Sequence, residues 1–385
     1  MTSTSSHIRH VKLQIGAVIA ALALIAGCSA RPVQNDQKND ETPSASSSQS
    51  ADSGPIEITD QRGQTVTLEK PAERIVTAVI PAPEMLAAID KSWDYIVGVN
   101  ESTIKFNKLG IAGNIFPKSL TTPVISTSDF VPNMETVLSL KPDATIQWGD
   151  QDDGAVIKPL DESGIPTFGI TYGTQAELEE WVRVFSQIRG KPERGKEILD
   201  WMGAIKADIE KTVAGAEPIT ALVAQSGKDD QMRVFGKGSH GHDMLELLGA
   251  KNVAEEIPSS VSTITREDLL RWNPDYIFIS TFSPDNPADF YNDPGLATLK
   301  AVQNKTIYRA PYGVFHWVIP CAENPMFWQW AAKLMHPEAY DVNIKETVTE
   351  GFEFLFGYTP TDEDLSIVMH YEANGGSKNY DLITE

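Results

Sequence analysis

Two segments of this chain, 134–146 and 266–278, follow one pattern. They read METVLSLKPDATI and REDLLRWNPDYIF, so both carry Glu-x-x-Leu-x-x-x-Pro-Asp and then a large apolar residue. The pattern predicts a short helix, a Pro-Asp turn that ends it and a buried strand, because proline does not continue a helix. A helix–strand unit that occurs twice indicates an α/β fold built by duplication.

A second pair of segments supports the duplication. Residues 74–86 read RIVTAVIPAPEML and residues 233–245 read RVFGKGSHGHDML. Each predicts a strand, a turn of small residues and the start of a helix with an acid before Met-Leu. In this alignment Glu84 corresponds to Asp243. Both pairs occur in the same order, which favours duplication over chance.

The segment between the copies, 174–215, is helical by its apolar periodicity, with a break at Gly190 and Pro192. Two similar α/β lobes joined by a helical connector are therefore expected. A β-hairpin at 56–71 should begin the folded part, since apolar and polar residues alternate there around a Gln-Arg-Gly turn. The expected organisation is a signal peptide at 1–27, a lipidated cysteine and tether at 28–55, lobes at 56–173 and 218–372, the connector at 174–217 and a tail at 373–385.

The N-terminus has the features of a targeting segment. A basic leader precedes the apolar run 15–27, which is shorter than the ~20 residues that span a bilayer. The run ends in LIAG before Cys28, which resembles the bacterial lipobox. This resemblance implies cleavage before Cys28, a lipid on its sulfur and anchoring at the extracytoplasmic face of the cell membrane. An ordinary secretory peptide is the alternative. Cys321 is the one other cysteine, so no intrachain disulfide is expected.

Composition restricts the function. The chain has 32 basic and 53 acidic residues, a formal charge of −21, which argues against binding to nucleic acid. The same charge disfavours a strongly anionic ligand. The sequence shows no nucleophile–base pair and no glycine-rich phosphate loop, so we do not expect an enzyme. We expect a monomer.

Several segments together resemble a known family. ITDQRGQTVTL, PEMLAAI, ETVLSLKPDATI, DLLRWNPDYIFIS and the tail YGVFHWVIPCAENPMFWQW follow the order found in substrate-binding lipoproteins of ABC importers for iron-siderophores, haem and cobalamin. The resemblance covers roughly residues 56–370. It implies two Rossmann-like lobes on one long backbone helix, with the ligand in the cleft between them and an ABC permease as the partner.

The resemblance also implies how the protein docks. One acid on each lobe meets arginines of the permease, and charge-assisted pairs fix the register. The internal alignment assigns this role to Glu84 and Asp243. Because aspartate has the shorter side chain, Glu246, one turn later, is the alternative for the second lobe. The competing interpretation is that these acids compensate the positive ends of their helices.

The segment SHGHD, 239–243, raises the question of a metal site. In open α/β sheets, ligands lie at the carboxyl ends of strands, so this turn is expected at the cleft edge. Three interpretations of His240 and His242 remain open: direct metal ligands together with His316, hydrogen-bond partners of a chelate that already satisfies its metal, and solvated rim residues. We favour the second. The aromatic residues expected in the cleft are Trp148, Tyr312 and Trp317, each of which could instead belong to the core.

These observations predict capture of an iron(III)-siderophore-type chelate and its delivery to a permease, with no covalent cofactor other than the lipid on Cys28. Alternatives within the same fold are haem, cobalamin, a bare metal ion, a metal–histidine complex and a metal oxyanion. Alternatives from other classes are a surface metalloenzyme that uses His240, His242 and His316, and an adhesin without a small ligand.

Overall fold

The computed structural model describes residues 54–226, 231–257 and 261–385. The predicted signal peptide, Cys28 and the tether up to residue 53 lie outside this range. Among the residues described, no helix combines the length and the apolar character needed to cross a bilayer. The chain begins with an antiparallel pair, β1 (Ile56–Thr59) and β2 (Thr65–Leu68), at the position of the expected hairpin.

The first lobe contains a five-stranded parallel sheet in the order β5-β4-β3-β6-β7. Its strands are β3 (Ile75–Thr77), β4 (Ile96–Asn100), β5 (Val124–Ser126), β6 (Ala144–Trp148) and β7 (Thr167–Ile170). Its helices are α1 (Ala82–Asp90), α2 (Glu101–Phe106), α3 (Ala112–Ile115), α4 (Met134–Ser139) and α5 (Lys158–Asp161). Strands β3, β6 and β7 are almost fully buried, as is typical of a parallel sheet with helices on its faces.

Two helices follow the first sheet and lie within the connector that we propose at 174–217. They are α6 (Gln175–Ile188) and α7 (Pro192–Val213). Thr174 and Glu177 form a capping box at the start of α6, and Pro192 occupies the first turn of α7, where its missing N–H costs nothing. Helix α7 is the longest in the described part of the chain, and α6 and α12 pack against it.

The second lobe has a six-stranded mixed sheet in the order β11-β9-β8-β12-β13, with β10 beside β8. Its strands are β8 (Ile219–Ser226), β9 (Met232–Phe235), β10 (Ala250–Asn252), β11 (Val261–Ile264), β12 (Tyr276–Ile279) and β13 (Ile307–Arg309). Its helices are α8 (His240–Leu247), α9 (Arg266–Trp272), α10 (Pro287–Tyr291) and α11 (Lys300–Gln303). Strands β8, β10, β12 and β13 run parallel, whereas β9 is antiparallel to both β8 and β11.

Five more helices complete the chain. They are α12 (Asn324–Met335), α13 (Ile344–Phe356), α14 (Asp362–Val368), α15 (Tyr371–Asn374) and α16 (Asp381–Thr384). Helix α13 packs on α1 of the first lobe. Tyr380, just before α16, and Ile383 within it are buried, although they lie in the segment assigned to a tail. Apolar side chains of both sheets, the connector and these helices belong to one continuous core. The predicted α/β class is confirmed.

The first repeat is present in the structure as helix, turn and strand. Helix α4 leads through Pro142 and Asp143 into β6, and α9 leads through Pro274 and Asp275 into β12. The two aspartates make equivalent hydrogen bonds. Asp143 accepts hydrogen bonds from the backbone N–H groups of Glu73 and Arg74, at 2.8 and 3.0 Å, just before β3. Asp275 accepts from the N–H of Thr220 in β8, at 2.9 Å.

The second repeat is present as strand, turn and helix in both copies, but its two strands are not equivalent. Strand β3 runs parallel to β6, and the strand that stands in the same relation to β12 is β8. The segment aligned with β3, Met232–Phe235, is β9, which is antiparallel to β8 and is not paired with β12. The two helices do correspond, because α1 leads to β4, the parallel neighbour of β3, and α8 leads to β10, the parallel neighbour of β8. Glu84 and Asp243 lie in the first turns of these helices. The duplication therefore rests on the first pair of segments, on its two aspartates and on the helices of the second pair.

Candidate functional site

Aromatic rings from the two lobes meet beside the carboxyl ends of β4 and β12. Phe106 ends α2, which Asn100 caps directly after β4, and its ring lies edge-on to that of Phe282, with centroids 5.0 Å apart. The ring of His316 is 4.8 Å from that of Phe106 and stacks on that of Phe282 at 3.8 Å. Tyr312 and Phe315 surround the same imidazole, at 4.4 and 4.9 Å. We call Phe106, Phe282, Tyr312, Phe315 and His316 the aromatic cluster.

Backbone contacts fix this meeting of the lobes. The hydroxyl of Tyr312 donates to the carbonyl of Phe106 at 2.8 Å, and the N–H of Ile111 donates to the carbonyl of Gly313 at 3.1 Å. A Cβ on Gly110 would lie 2.1 Å from the same Gly313 carbonyl, so only glycine allows the approach. Because the carboxyl ends of parallel strands are where α/β proteins bind ligands, this contact is a candidate site.

His316 is the polar centre of the cluster. It is fully buried, its Nδ1 lies 2.5 Å from the hydroxyl of Thr281, and its Nε2 has no hydrogen-bond partner. Burial, followed by the nearby charges of Arg309 and His370, holds its pKa well below the usual value. The imidazole is therefore neutral at pH 7, with one buried nitrogen available to a ligand. Unpartnered buried nitrogens of this kind are rare and need an explanation.

Glu323 holds the loop that carries this histidine. Its Oε1 accepts from the N–H of Val314 at 3.0 Å and from the indole N–H of Trp317 at 3.1 Å, and its Oε2 accepts from the N–H of Phe315 at 2.7 Å. Burial raises the pKa of Glu323 to about 7, although these hydrogen bonds oppose the rise. The ring of Trp317 is fully buried and its N–H donates to Glu323, so Trp317 supports the loop from the core, and its contact with a ligand stays a prediction.

The two histidines of SHGHD lie elsewhere than expected. Because β9 is antiparallel to β8, the turn after β9 leads away from the edge at which β8 and β12 end. His240 instead begins α8, and its N–H donates to the carbonyl of Gly173 at 2.7 Å. The His240 side chain is fully buried, neither ring nitrogen has a partner, and burial lowers its pKa to about 3. His242 lies 3.3 Å from Asn252 Nδ2 and 3.4 Å from the Glu246 carboxylate.

The structure does not join the three histidines into a metal site. Positions two apart on a helix point in different directions, which separates the rings of His240 and His242. In the part of the chain that the structure describes, one set of three His, Cys, Asp or Glu side chains has ligand atoms within 4.8 Å of one another, and it contains no histidine. The alternative with His240, His242 and His316 as joint metal ligands is corrected.

Trp148 ends β6 but faces residues of the first lobe and of helix α6. Its side chain is 9% exposed and packs against Phe130 and Trp181, with ring centroids at 6.2 and 5.8 Å. Tyr312 belongs to the aromatic cluster, although it is 2% exposed. Of the six residues expected to contact the ligand, Tyr312 and His316 are thus brought together, and Trp148, His240, His242 and Trp317 are not part of the cluster.

The acids expected to dock on a permease have other environments. Glu84 is 2% exposed, and its carboxylate accepts from the N–H of Ala322 at 3.0 Å. Burial and the neighbouring Glu323 raise its pKa well above the usual value. A side chain so enclosed does not reach a partner, and its assignment to docking is corrected. Asp243 accepts from the N–H of Gln175 at 2.9 Å and so caps α6. It lines, with the exposed Glu246, a groove of about 520 Å³ beside α6 and α7.

Sequence reasoning missed Phe106, Phe282, Phe315 and Glu323. The rule that ligands lie beyond the carboxyl ends of strands was sufficient to find Phe282, which follows β12 after two small residues. It also directs attention to α2 after β4. Nothing in the sequence distinguishes Glu323 from a surface acid at a helix start, because its partners come from a loop that folds back on it.

Residues 84–312 match the model of a family described as periplasmic binding protein. The chain belongs to this family. Its curated relatives are binding proteins of ABC transporters and not enzymes. This chain is accordingly a substrate-binding protein of an ABC transporter, of the periplasmic or extracytoplasmic kind, and a permease is its partner.

Three relatives illustrate the range of the family. Molybdate-binding protein MolA of Haemophilus influenzae is 22% identical over 57% of this chain and 69% of its own length. YvrC of Bacillus subtilis, an uncharacterized ABC transporter substrate-binding lipoprotein, is 24% identical over 76% of this chain and 87% of its own. A vitamin B12-binding protein of Vibrio cholerae is 23% identical over 62% and 80%.

Solved structures agree on the fold. A periplasmic solute binding protein from Veillonella parvula superposes with a TM-score of 0.75 and 27% identity, over 84% of this chain and 99% of that one. Molybdate-bound MolA gives a TM-score of 0.70 and 21% identity over 79% and 99%. The CeuE protein of Helicobacter pylori in a Ni-His complex gives 0.66 and 22% over 81% and 98%. The two-lobed fold is confirmed.

Proposed function

We propose that this protein captures a metal chelate of the iron(III)-siderophore type at the aromatic cluster and delivers it to its permease. The observation that carries the proposal is the meeting of Phe106, from one lobe, with Phe282 and His316, from the other. Aromatic faces suit the apolar, poorly hydrated skin of a chelate, and His316 Nε2 supplies one hydrogen bond. In this kind of recognition the chelate supplies the ligands of the metal, and the protein contacts only the chelate.

The charges around the cluster favour a neutral or weakly charged guest. His316 is uncharged at pH 7 because its pKa is held well below the usual value. The nearby guanidinium of Arg309 is half-buried and donates to the carbonyls of Ser283 and Asp285, at 3.0 and 2.5 Å. A small oxyanion needs several donors that are not already engaged. An iron(III) chelate or a corrinoid therefore fits better than a bare oxyanion.

A metal oxyanion is the second candidate, because MolA is named for molybdate and Nε2 of His316 can donate to an oxygen. The relatives also include proteins named for vitamin B12, and CeuE is described in a Ni-His complex. These names describe those proteins. They indicate which compounds should be tested for binding to this chain.

A binding panel tests the proposal. The purified full chain is titrated with a ferric hydroxamate, a ferric catecholate, cyanocobalamin, Ni²⁺ with histidine, and molybdate, followed by tryptophan fluorescence and calorimetry. We expect saturable 1:1 binding of a ferric chelate with a Kd of about 1 μM or lower, which corresponds to about −8 kcal/mol. Binding of molybdate without any chelate would overturn the proposal and leave the family assignment intact.

Two variants locate the site. Phe106→Ala should weaken chelate binding by about tenfold or more, since a buried aromatic contact contributes roughly 1.5–3 kcal/mol. Phe354→Ala is the matched control: Phe354 is also half-buried, but packs on Trp201 and Arg194. Loss of binding in both variants, or in neither, would contradict a site at Phe106.

We propose Glu135 and Glu267 as the docking acids in place of Glu84 and Asp243. They hold the same position in the repeat whose helix and strand both correspond, at the first turns of α4 and α9. Both are exposed. Leu138, one turn after Glu135, is 53% exposed, which gives the first lobe an apolar contact beside the acid. Equivalent acids on two similar lobes are suited to a permease that presents similar cationic surfaces to each.

Charge reversal tests docking. Glu135→Lys and Glu267→Lys should each reduce association with permease-containing proteoliposomes without changing ligand affinity, because neither residue touches the aromatic cluster. Glu246→Lys, an exposed acid in the groove beside the connector, is the control and should associate normally. Reduced association only in the control would assign docking to that groove instead.

We also propose that Cys28 carries the lipid anchor. Its neighbours LIAG support this, as does the description of YvrC as a lipoprotein. Labelling of growing cells with radioactive palmitate should mark the protein, and Cys28→Ser should abolish the label and release the chain from the membrane fraction. A labelled Cys28→Ser protein would refute the assignment.

A further inference from the structure

Three donor side chains from two distant parts of the chain converge in the interior. Glu84 extends from the first turn of α1, and Cys321 and Glu323 belong to the segment that leads into α12. One ligand atom of each lies within 4.8 Å of those of the other two. Their side chains are 2%, 0% and 0% exposed, respectively. In the described ranges this is the one such group of three, and the proposed cargo site uses only Glu323 of it, as the support of the His316 loop.

The group lacks a compensating charge. Oε1 of Glu84 is enclosed and has no hydrogen-bond partner. None of the ion pairs found among the described residues includes Glu84 or Glu323. Two carboxyl groups and a thiol buried together are costly unless a proton or a cation neutralises them. The free oxygen of Glu84 belongs to a side chain that already faces both other donors, so it is available to a bound cation.

We propose that Glu84, Cys321 and Glu323 form a binding site for a divalent cation of the Zn²⁺ class, separate from the cargo site. Thiolate and carboxylate are both ligands of Zn²⁺ and Co²⁺. The N–H groups of Ala322 and Phe315 already orient the two carboxylates, at 3.0 and 2.7 Å, as outer contacts of metal sites do.

Binding releases protons in a defined way. The Cys321 thiol, which now lies 3.6 Å from the carbonyl of His316, gives its proton to solvent, and its sulfur bonds to the cation. A proton held by the carboxyl pair leaves as well, so one or two protons are released for each cation bound. The bound cation joins α1 of the first lobe to the loop of Tyr312 and His316.

Cobalt is the probe. The full chain is reduced, stripped with chelator and given Co²⁺, both in the folded state and during refolding from urea, because the donors are enclosed. We expect one equivalent of Co²⁺ to bind, with a thiolate-to-cobalt absorption band, proton release and a raised Tm. Cys321→Ser should lose the band. Glu84→Gln should weaken binding at least as much as the roughly 10- to 100-fold typical of an outer contact.

Glu246→Gln is the control, because this acid is exposed and lies outside the group; it should bind Co²⁺ as the unchanged chain does. Circular dichroism identifies any variant that fails to fold. If a variant does not fold, the presence or absence of the thiolate-to-cobalt band in the unchanged chain tests the proposal. Absence of the band under both loading conditions would overturn the proposal and show that a proton neutralises the pair. A band that persists in Cys321→Ser would overturn it too.

Discussion

Replacement of His240 by leucine should remove a defined part of the acid sensitivity of this protein. The imidazole is fully enclosed, neither nitrogen has a hydrogen-bond partner, and burial lowers its pKa to about 3. In the unfolded chain the same group titrates near 6.5. The native state therefore requires a neutral ring, whereas the unfolded state takes up a proton below pH 6.5.

The sign and size of the effect follow from this difference. Between about pH 6.5 and pH 3 the unfolded state binds more protons, so the free energy of unfolding falls as the pH falls, by about 1.4 kcal/mol per unit. At pH 5 the contribution of His240 is a loss of about 2 kcal/mol relative to pH 7.5. Below pH 3 the native ring is protonated as well, and the loss stops growing.

Urea unfolding of the unchanged chain and of His240→Leu, at steps from pH 7.5 to pH 4.5, measures this difference. At pH 7.5 we expect the variant to be at least as stable, because leucine has a similar size and leaves no polar atom unpaired. Its advantage should grow by about 2 kcal/mol at pH 5. Leu245→Ala, in the same helix and fully buried, is the control, with a cost of about 2–5 kcal/mol that does not depend on pH. A difference for His240→Leu that stays constant across the range would refute the reasoning.

Further outcomes are open to direct measurement. Glu323→Ala should lower the free energy of unfolding by about 3 kcal/mol, since three buried N–H groups lose their acceptor, and denaturant titration reports it. Asp143→Ala should cost about 1 kcal/mol and Asp275→Ala about 2, because only the second leaves partly buried donors unpaired; thermal melts rank the two. His316→Ala should weaken chelate binding at least about fivefold, the value of one hydrogen bond, and should also lower Tm, because the ring is fully buried among aromatic side chains.

The local pattern around Pro142 and Pro274 was sufficient to predict the fold class. A helix, a Pro-Asp turn and a buried strand depend on nearby residues, and the structure has them in both copies. The aspartates add a long-range bond to the neighbouring strand, from Asp143 to Glu73 and from Asp275 to Thr220. That bond is not visible in a sequence, but it follows once the two strands are paired.

Strand direction was missed because the residues of the strand itself do not encode it. The segment Met232–Phe235 has the apolar character of any buried strand, and its direction depends on the connection before it. A short connection after β8 produces an antiparallel pair, whereas a parallel pair needs a crossover of a dozen residues or more. Five residues separate Ser226 from Met232, so the spacing already excluded a parallel β9 beside β8. With that rule applied, SHGHD would not have been expected at the cleft.

Glu84 shows why burial is harder to predict than helix position. An acid in the first turn of α1 has the ordinary explanation of charge near a helix N-terminus, and the sequence gives no reason to enclose it. What encloses it is the segment around Ala322, 238 residues later, which donates a backbone hydrogen bond to its carboxylate. A buried acid of this kind costs stability unless it does something else, which is the reason to look for a cation there and not for a transporter arginine. If Glu84→Gln leaves Co²⁺ binding unchanged and raises stability, the acid is not a cation ligand, and its charge is a cost of the fold.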